Sequence, residues 1–313
     1  ASDVYKRQPD ELTIENSADA TDEAGSYRTW ILKNHTPVEP KQYLTDEFSD
    51  ASVRFINNNA ETPFFLFLSY NAPHLPLAAT QKYLDRFPNL SGKRKTYAAM
   101  VSAVDDGVGK TLSALREHGI LDDTLVFFLS DNGGPHLKNA SDNAPLRGGK
   151  SDIWEGGYRV PFAARYPDDI AAGTTFQQPV ISLDIFATIA ELANAPIGND
   201  RPLDGVNLLP YLNGTKTDSP HEAIYIRKFD QQRYAIRSGN EKLVIPVADA
   251  APKLYDLSRD IAETTNLASQ KAGTVDLLKE KLDAWTAELI DPTFTGLMQK
   301  KLSLIHISEP TRP

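Results

Sequence analysis

The sequence lacks cysteine altogether, which excludes a disulfide framework, a thiolate zinc site and a cysteine nucleophile within these 313 residues. It also lacks long apolar runs. Its strongest runs, residues 64–69 (FFLFLS) and 125–129 (LVFFL), fall far short of the roughly 20 residues that a membrane span needs. We therefore expect no membrane span in this sequence.

Positive charge is scarce, with 33 Lys and Arg against 42 Asp and Glu and a net charge of -9. Because duplex affinity comes mainly from neutralising phosphates with Lys and Arg, we expect no nucleic-acid partner. Any anionic ligand would have to be met by a few local positive groups. The hydrophobic share of 41% is typical of a folded globular chain and excludes a disordered one.

The sequence pattern at the two ends differs from that of the rest of the chain. Residues 1–8 (ASDVYKRQ) and 302–313 (LSLIHISEPTRP) resemble translated adapter sequence, so we interpret them as non-native and leave them out of the fold. Between them, residues 9–218 are predicted to form an α/β domain and residues 219–301 a C-terminal α+β subdomain.

Apolar periodicity supports this division. The first part is predicted to contain strands at 64–69, 124–130 and 158–166 and helices at 94–118 and 183–193. Strands that alternate with helices predict a mostly parallel sheet flanked by helices. Beyond residue 219, four short strands and a helix at 273–289 predict a small antiparallel sheet with one helix.

Residues 130–134 (SDNGG) follow a predicted buried strand. The alternative interpretation, an Asn-Gly hairpin turn, needs a second strand directly afterwards, and none follows. Ligands of open α/β sheets bind at the carboxyl ends of strands. Asp131 and Asn132 would present there a carboxylate and an amide oxygen, which are donors that Ca²⁺ and Mg²⁺ prefer. We predict that both are metal ligands.

Residues 145–150 (PLRGGK) place two positive charges beside two glycines in an acidic chain. A solvated basic turn is the plain alternative. The glycines indicate that backbone comes close to another group. Near a divalent ion, Arg147 and Lys150 would suit an anionic tetrahedral group, the first by bidentate contact and the second as a point charge.

His74 lies in residues 71–77 (NAPHLPL), shortly after a predicted buried strand. A lone histidine is more often structural than catalytic. Asp131 also follows a buried strand, however, and this shared location favours a role in chemistry for His74. Its imidazole could donate a proton to a leaving oxygen.

Taken in order, these motifs resemble the sulfatase family of the alkaline-phosphatase superfamily, and most closely its arylsulfatase B-like branch. Most of residues 40–290 takes part in the resemblance. The segments that carry it are TPFFL at 62–66, NAPH at 71–74, YAAMVSAVDDGVG at 97–109, SDNGG at 130–134, PLRGGK at 145–150, WEGGYRVP at 154–161, LDGV at 203–206, KLYDL at 253–257 and ETTNLA at 263–268.

The resemblance implies a hydrolase of sulfuric esters that acts on sulfated carbohydrate or an aryl sulfate. It implies a Ca²⁺ site, with Mg²⁺ as the other possibility, to which Asp131 and Asn132 contribute. Lys150 would bind the sulfate oxygens, and His74 would interact with the leaving ester oxygen. The resemblance gives Arg147 no definite role, and it remains a candidate substrate-binding residue.

The resemblance also implies a formylglycine nucleophile, made from Cys or Ser, in an N-terminal segment that is missing from this chain. We therefore interpret the chain as an N-terminally truncated fragment, expect it to be inactive alone, and expect a periplasmic or secreted protein. One alternative is a phosphomonoesterase or phosphodiesterase of the same superfamily. Such relatives usually carry Asp-His where Asp131-Asn132 stands, because imidazole suits Zn²⁺. Another alternative is a non-catalytic carbohydrate-binding relative. The oligomeric state stays open.

Overall fold

The computed structural model describes residues 13–14, 31–38, 40–198 and 202–293. The chain divides into two compact units and passes between them several times. The first unit comprises residues 1–126, 134–142 and 164–168, and the second comprises 127–133, 143–163 and 169–313. The adapter-like ends lie outside the described residues. The domain limits inferred from the sequence stay a prediction.

Ten strands and eight helices are described. The strands are β1 (Thr13–Ile14), β2 (Ile31–Lys33), β3 (Thr36–Val38), β4 (Ala78–Ala79), β5 (Val126–Leu129), β6 (Phe162–Arg165), β7 (Ile224–Lys228), β8 (Arg233–Ser238), β9 (Glu241–Ile245) and β10 (Lys253–Asp256). The helices are α1 (Leu44–Asn59), α2 (Gln81–Leu84), α3 (Gly92–Glu117), α4 (His136–Asn139), α5 (Glu155–Tyr158), α6 (Leu183–Leu192), α7 (Leu209–Leu212) and α8 (Ala272–Glu288). Within these ranges no helix is long and apolar enough to cross a membrane.

Helices α1 and α3 pack against each other in the first unit. Spacing of apolar residues predicts α3 closely, and its buried face includes Met100 and Ala103. Gly107 lies on α3 where α1 comes close, and an added Cβ there would lie 2.3 Å from Ser49 Oγ and from Tyr70 Oη. Those two hydroxyls hydrogen-bond to each other at 2.9 Å. Glycine at position 107 therefore permits the close helix contact.

The strand predicted at residues 64–69 is wrong as a central strand. No strand hydrogen bonding is assigned to these six residues, and burial alternates along them. Phe64 and Leu66 pack against a cluster that contains Ile56 and Leu115. Phe65 and Phe67 point the other way and are 67% and 77% exposed. Residues 64–68 (FFLFL) contain no polar residue to mark a solvent face, so the sequence predicted burial on both faces.

The second unit contains the predicted antiparallel sheet, with strand order β10-β9-β8-β7. One face of the sheet packs against α8 through a cluster of Ile236, Leu243 and Leu282. Tyr225 stacks on Trp285 with ring centroids 4.8 Å apart. The predicted sheet with one helix is confirmed. The limits of β7 and β8 match the prediction, and those of β9 and β10 differ from it by one or two residues.

The LDGV motif at 203–206 packs on the first turn of α6. Gly205 leaves no room for a side chain, because an added Cβ would lie 2.2 Å from the Leu183 carbonyl oxygen. The Val206 amide donates to the buried carboxylate of Asp184 at 2.9 Å. His221 Nε2 lies 2.9 Å from the same carboxylate. This motif therefore builds the start of a helix.

We expect Gly107→Ala to lower the free energy of unfolding by about 1–3 kcal/mol, because the new methyl group would overlap two hydroxyls. Gly109→Ala is the matched control on the same helix. Nothing lies within 4 Å of its added Cβ, so the change should raise stability by about 0.5–1 kcal/mol. Urea unfolding followed by circular dichroism measures both. Equal effects of the two substitutions would contradict the packing argument.

Candidate functional site

The SDNGG turn begins where β5 ends. The Ser130 amide donates to the Pro161 carbonyl at 3.3 Å, so the carboxyl end of β5 lies beside the amino end of β6. The Ser130 hydroxyl donates to the Asn132 carbonyl at 3.0 Å and fixes the turn. Asp131 is exposed and Asn132 is half-buried. The predicted metal ligands thus lie at the end of a strand, as the sequence indicated.

Glycines bring three separate turns into backbone contact. The Gly133 amide donates to the Gly157 carbonyl at 3.0 Å, and the Gly156 amide donates to the Arg147 carbonyl at 2.7 Å. An added Cβ on Gly133 would lie 1.7 Å from the Gly156 carbonyl oxygen. One on Gly156 would lie 2.5 Å from the Gly148 carbonyl oxygen. The SDNGG, PLRGGK and WEGG motifs therefore meet at this cluster, which we call the glycine cluster.

The loop that carries Lys150 is held on both sides of that residue. The Asp152 carboxylate accepts the Gly149 amide at 3.1 Å and an Arg233 nitrogen at 3.3 Å. Lys228 Nζ donates to the Ser151 carbonyl at 2.8 Å. Lys150 itself is half-buried. Its backbone is therefore fixed by neighbours on each side, which orders the base of a long, flexible side chain.

Arg147 contacts protein groups that the sequence did not suggest. Its guanidinium stacks over the Trp154 ring, with 3.7 Å to the ring centroid. It also donates to the Glu263 carbonyl at 2.9 Å. These two contacts give the guanidinium a structural role, which is to hold Trp154 and the segment around Glu263 together. A direct role of Arg147 in substrate binding stays a prediction.

A buried charge network lies below the Trp154–Gly157 turn. Glu155, Lys242 and Glu263 are each 0% exposed. Lys242 Nζ lies 3.1 Å from Glu155 Oε1 and 2.6 Å from Glu263 Oε1. The Glu155 amide donates to Glu263 Oε2 at 2.7 Å. Three charged side chains thus join β9 and the ETTNLA segment to the turn that packs on the glycine cluster.

The two carboxylates differ in acidity. Burial raises the pKa of Glu155, but Lys242, Tyr158 and Arg237 together outweigh it and hold the pKa below its usual value. Burial raises the pKa of Glu263, and Lys242 offsets this only in part. Glu155 has the stronger set of positive partners, because the Arg237 guanidinium also lies 3.3 Å away.

This network was not predicted from the sequence. Lys242 lies two residues before Val244, which packs with Trp154 in the core. A lysine on an otherwise apolar strand face is the signal that could have found it. Glu155 and Glu263 stand inside the quoted motifs WEGG and ETTNLA, where their motif positions alone did not reveal burial.

His74 belongs to the first unit, whereas Asp131, Asn132, Arg147 and Lys150 belong to the second. The imidazole is exposed, and its Nδ1 lies 2.6 Å from the Leu75 carbonyl oxygen. That contact fixes the ring orientation and leaves Nε2 on the opposite side of the ring. That His74 lies close to the other candidate residues stays a prediction.

The donor chemistry of the SDNGG turn fits a hard cation in part. The Asn132 side-chain nitrogen donates to the Gly133 carbonyl at 3.1 Å, which leaves the amide oxygen as its donor to a cation. Asp131 supplies a carboxylate. Among the described residues no group of three or more His, Asp or Glu could hold a metal ion. Asp131 and Asn132 each offer one oxygen-bearing side chain at this turn, and their binding of a metal ion stays a prediction.

Comparison with known families gives two matches along the chain. The sequence pattern described as Sulfatase matches residues 1–195. The pattern described as N-sulphoglucosamine sulphohydrolase, C-terminal, matches residues 149–288. The first match covers more than half of the chain, and the second includes the whole C-terminal sheet.

Curated relatives are longer than this chain. Steryl-sulfatase of Homo sapiens is 35% identical over 207 residues, which cover 63% of this chain and 34% of the relative. A sulfatase of Formosa agariphila is 30% identical over 309 residues, which cover 84% of this chain and 53% of the relative. The chain thus spans about a third of the first relative and about half of the second.

Solved structures share the fold. The crystal structure of Ps i-CgsB has a TM-score of 0.82 at 34% identity and covers 89% of this chain and 63% of its own. The structure of Ps i-CgsB in complex with k-i-k-neocarrahexaose has a TM-score of 0.81 at 34% identity, with 88% and 62% covered. These neighbours confirm the predicted α/β fold class.

We expect Lys242→Met to cost about 3–5 kcal/mol of unfolding free energy, because Glu155 and Glu263 would stay buried without the cation that they share. Lys271→Met is the control in the same unit. Lys271 pairs with Glu241 at 2.7 Å, but their side chains are 41% and 35% exposed, so its loss should change stability little. Thermal and urea unfolding measure both variants. If both variants lost a similar amount of unfolding free energy, the buried network would contribute no more to stability than an exposed ion pair does.

Proposed function

This chain belongs to the sulfatase family, and from that premise we propose that it is part of a hydrolase that cleaves sulfuric esters of carbohydrates. The observation that carries the proposal is the glycine cluster. It joins the turn with Asp131 and Asn132 to the loop with Lys150 through backbone hydrogen bonds. A cation-binding turn and a positive side chain on contacting segments suit an anionic tetrahedral group.

Lys150 is the proposed sulfate-binding residue. Residues 145–150 are called the anion-binding loop below. The ammonium group would neutralise charge on the sulfate oxygens, and its effect grows as charge develops in the transition state. The fixed backbone on both sides of Lys150 supports this role, because an ordered base lowers the entropy cost of aiming a long side chain.

His74 is the proposed partner of the leaving ester oxygen. Leu75 holds Nδ1 at 2.6 Å, and the exposed ring can hold a proton at Nε2. Protonation of the leaving oxygen lowers the barrier when the departing alcohol is a poor leaving group, as a sugar hydroxyl is.

Asp131 and Asn132 would hold a Ca²⁺ or Mg²⁺ ion together with ligands from outside the described residues. Such an ion supplies charge stabilisation for the sulfate oxygens. The proposed nucleophile is a formylglycine in a segment upstream of the matched motifs, so the chain alone is proposed to be inactive. A periplasmic or secreted location is part of the same proposal.

A carbohydrate substrate is favoured over a simple aryl ester. The support is the similarity to Ps i-CgsB, which was crystallised with a neocarrahexaose and is 34% identical to this chain. Asn132 supports sulfate over phosphate chemistry, because its amide oxygen suits Ca²⁺ or Mg²⁺ better than Zn²⁺.

The experiment uses the product of the whole gene with the formylglycine in place. We expect Lys150→Ala to lower kcat/KM for an aryl sulfate by roughly 10²–10³, in line with the loss of one preorganised charge-stabilising group. Lys279→Ala removes an exposed cation on α8 in the same unit and should leave the rate unchanged. Full activity of Lys150→Ala would overturn the assignment.

The same preparation separates the alternatives. Faster cleavage of the matching aryl phosphate would favour a phosphoesterase. Binding of a sulfated oligosaccharide without release of sulfate would favour a carbohydrate-binding protein. In a separate preparation of the 313 residues alone, metal-dependent turnover would show that the nucleophile lies within them.

We expect Asp131→Ala to weaken Ca²⁺ binding to the whole gene product, because it removes a charged ligand from the ion. Calorimetric titration with Ca²⁺ alone measures the change. Asp276→Ala removes a carboxylate from α8 and serves as the control. Unchanged Ca²⁺ affinity in Asp131→Ala would remove this residue from the metal site.

A further inference from the structure

We propose that Glu263 is the positioning residue of the anion-binding loop. This inference rests on the proposed function of that loop. Nothing in the family resemblance gives Glu263 a role, and it lies more than a hundred residues from Lys150 in the sequence. The structure nevertheless places three of its polar atoms on groups that shape the loop.

The backbone of Glu263 is held in an unusual conformation. Its φ is 53°, in the left-handed region that residues with a side chain rarely adopt. Asp260 builds the turn that imposes this conformation. The Asp260 carbonyl accepts the Glu263 amide at 3.1 Å, and its carboxylate accepts the amides of Thr264 at 2.8 Å and Thr265 at 2.7 Å. Strain of this kind persists only where surrounding contacts over-determine it.

Each contact of Glu263 reaches a different part of the site. Its carbonyl accepts the Arg147 guanidinium at 2.9 Å, inside the anion-binding loop. Its Oε2 accepts the Glu155 amide at 2.7 Å, at the first residue of α5. Its Oε1 lies 2.6 Å from Lys242 Nζ on β9. One residue therefore ties the loop, the turn below it and the C-terminal sheet together.

The contact at α5 connects Glu263 to the segment that carries Lys150. Glu155 directly precedes Gly156, whose amide donates to the Arg147 carbonyl at 2.7 Å. Glu263 thus holds Arg147 in two ways. Its carbonyl accepts the Arg147 guanidinium directly, and its carboxylate fixes α5, whose Gly156 amide holds the Arg147 carbonyl. Lys150 follows three residues later, before the anchored Asp152. Loss of the Glu263 carboxylate would free the α5 end of this arrangement.

A purely space-filling role does not explain a carboxylate at this position. Burying a charged group costs free energy that a leucine of similar size would not incur. Leucine cannot accept the Glu155 amide. Glutamine can keep that acceptor in its one carbonyl oxygen, and its NH2 group then faces Lys242, which keeps Glu155 as its carboxylate partner. Glu263→Leu and Glu263→Gln therefore separate loss of the amide acceptor from loss of the charge.

The test compares amide hydrogen exchange in two segments of the full chain. Residues 145–157 report on the loop and α5, and residues 233–245 report on β8 and β9. In Glu263→Leu we expect exchange in the first segment to rise by about tenfold or more beyond any rise in the second, because a local contact is lost. Glu263→Gln keeps the acceptor for the Glu155 amide and loses the ion pair with Lys242, so exchange in the first segment should not rise beyond that in the second. Glu241→Gln, which alters an exposed ion pair on β9, is the matched control.

An equal rise in both segments of Glu263→Leu, or no rise in either, would overturn the proposal, as would a Gln variant that behaves like Leu. If Glu263→Leu does not fold, adding Lys242→Met removes the ammonium that has lost one of its two carboxylates. Glu155 keeps Arg237 at 3.3 Å, so the double variant should fold while still loosening residues 145–157. A double variant with wild-type exchange there would also overturn the proposal.

Binding of inorganic sulfate to the whole gene product links this role to function. We expect Glu263→Leu to weaken sulfate binding by about tenfold, through loss of loop order, with Glu263→Gln and Glu241→Gln unchanged. Unaltered sulfate affinity in a folded Glu263→Leu variant would overturn the positioning role. If the unaltered protein does not bind sulfate, the proposed function fails, and the exchange data still decide whether Glu263 orders the loop.

Discussion

Backbone contact at Gly133, Gly156 and Gly157 is the constraint on which the candidate site depends. A carbonyl oxygen of one turn lies where a side chain of the next would start, so any larger residue would separate the segments. Two hydrogen bonds then align the SDNGG, WEGG and PLRGGK turns. The residues proposed to bind a cation and an anion are neighbours of these glycines in the sequence. Their backbone positions therefore follow from close packing that only glycine allows.

Buried charged side chains support the turn below the glycine cluster, although apolar side chains would cost less desolvation free energy there. Lys242 neutralises two carboxylates, and one of those carboxylates accepts a backbone amide that would otherwise be buried without a partner. An unsatisfied buried amide costs free energy, so the network removes one penalty as it incurs another. Arg147 belongs to the same arrangement, because Trp154 and the Glu263 carbonyl hold its guanidinium.

Motif residues in this chain divide into those that build turns and those available for chemistry. Gly205 and Asp184 shape the start of α6, and Asp260 shapes the turn at Glu263. None of these three needs a substrate to explain it. Lys150 and Asp131 differ, since the contacts described around them fix the backbone of their segments, and it is the proposed function that gives their charged groups a role. Membership of a motif is therefore weaker evidence for chemistry than the contacts that a residue makes.

The sequence by itself determined the local elements and the family. Apolar spacing predicted α3, α6, α8 and the four C-terminal strands, because helices and strands bury residues with different periods. It also located the turn after β5 and the basic loop. The tertiary structure decided what the sequence pattern left open. It exposed Phe65 and Phe67, whose run lacks polar residues to mark a surface, and it buried Lys242 and Glu263, whose charge predicts exposure. Burial depends on which segments pack together, and contacts between residues far apart in the chain leave no periodic signal in either segment.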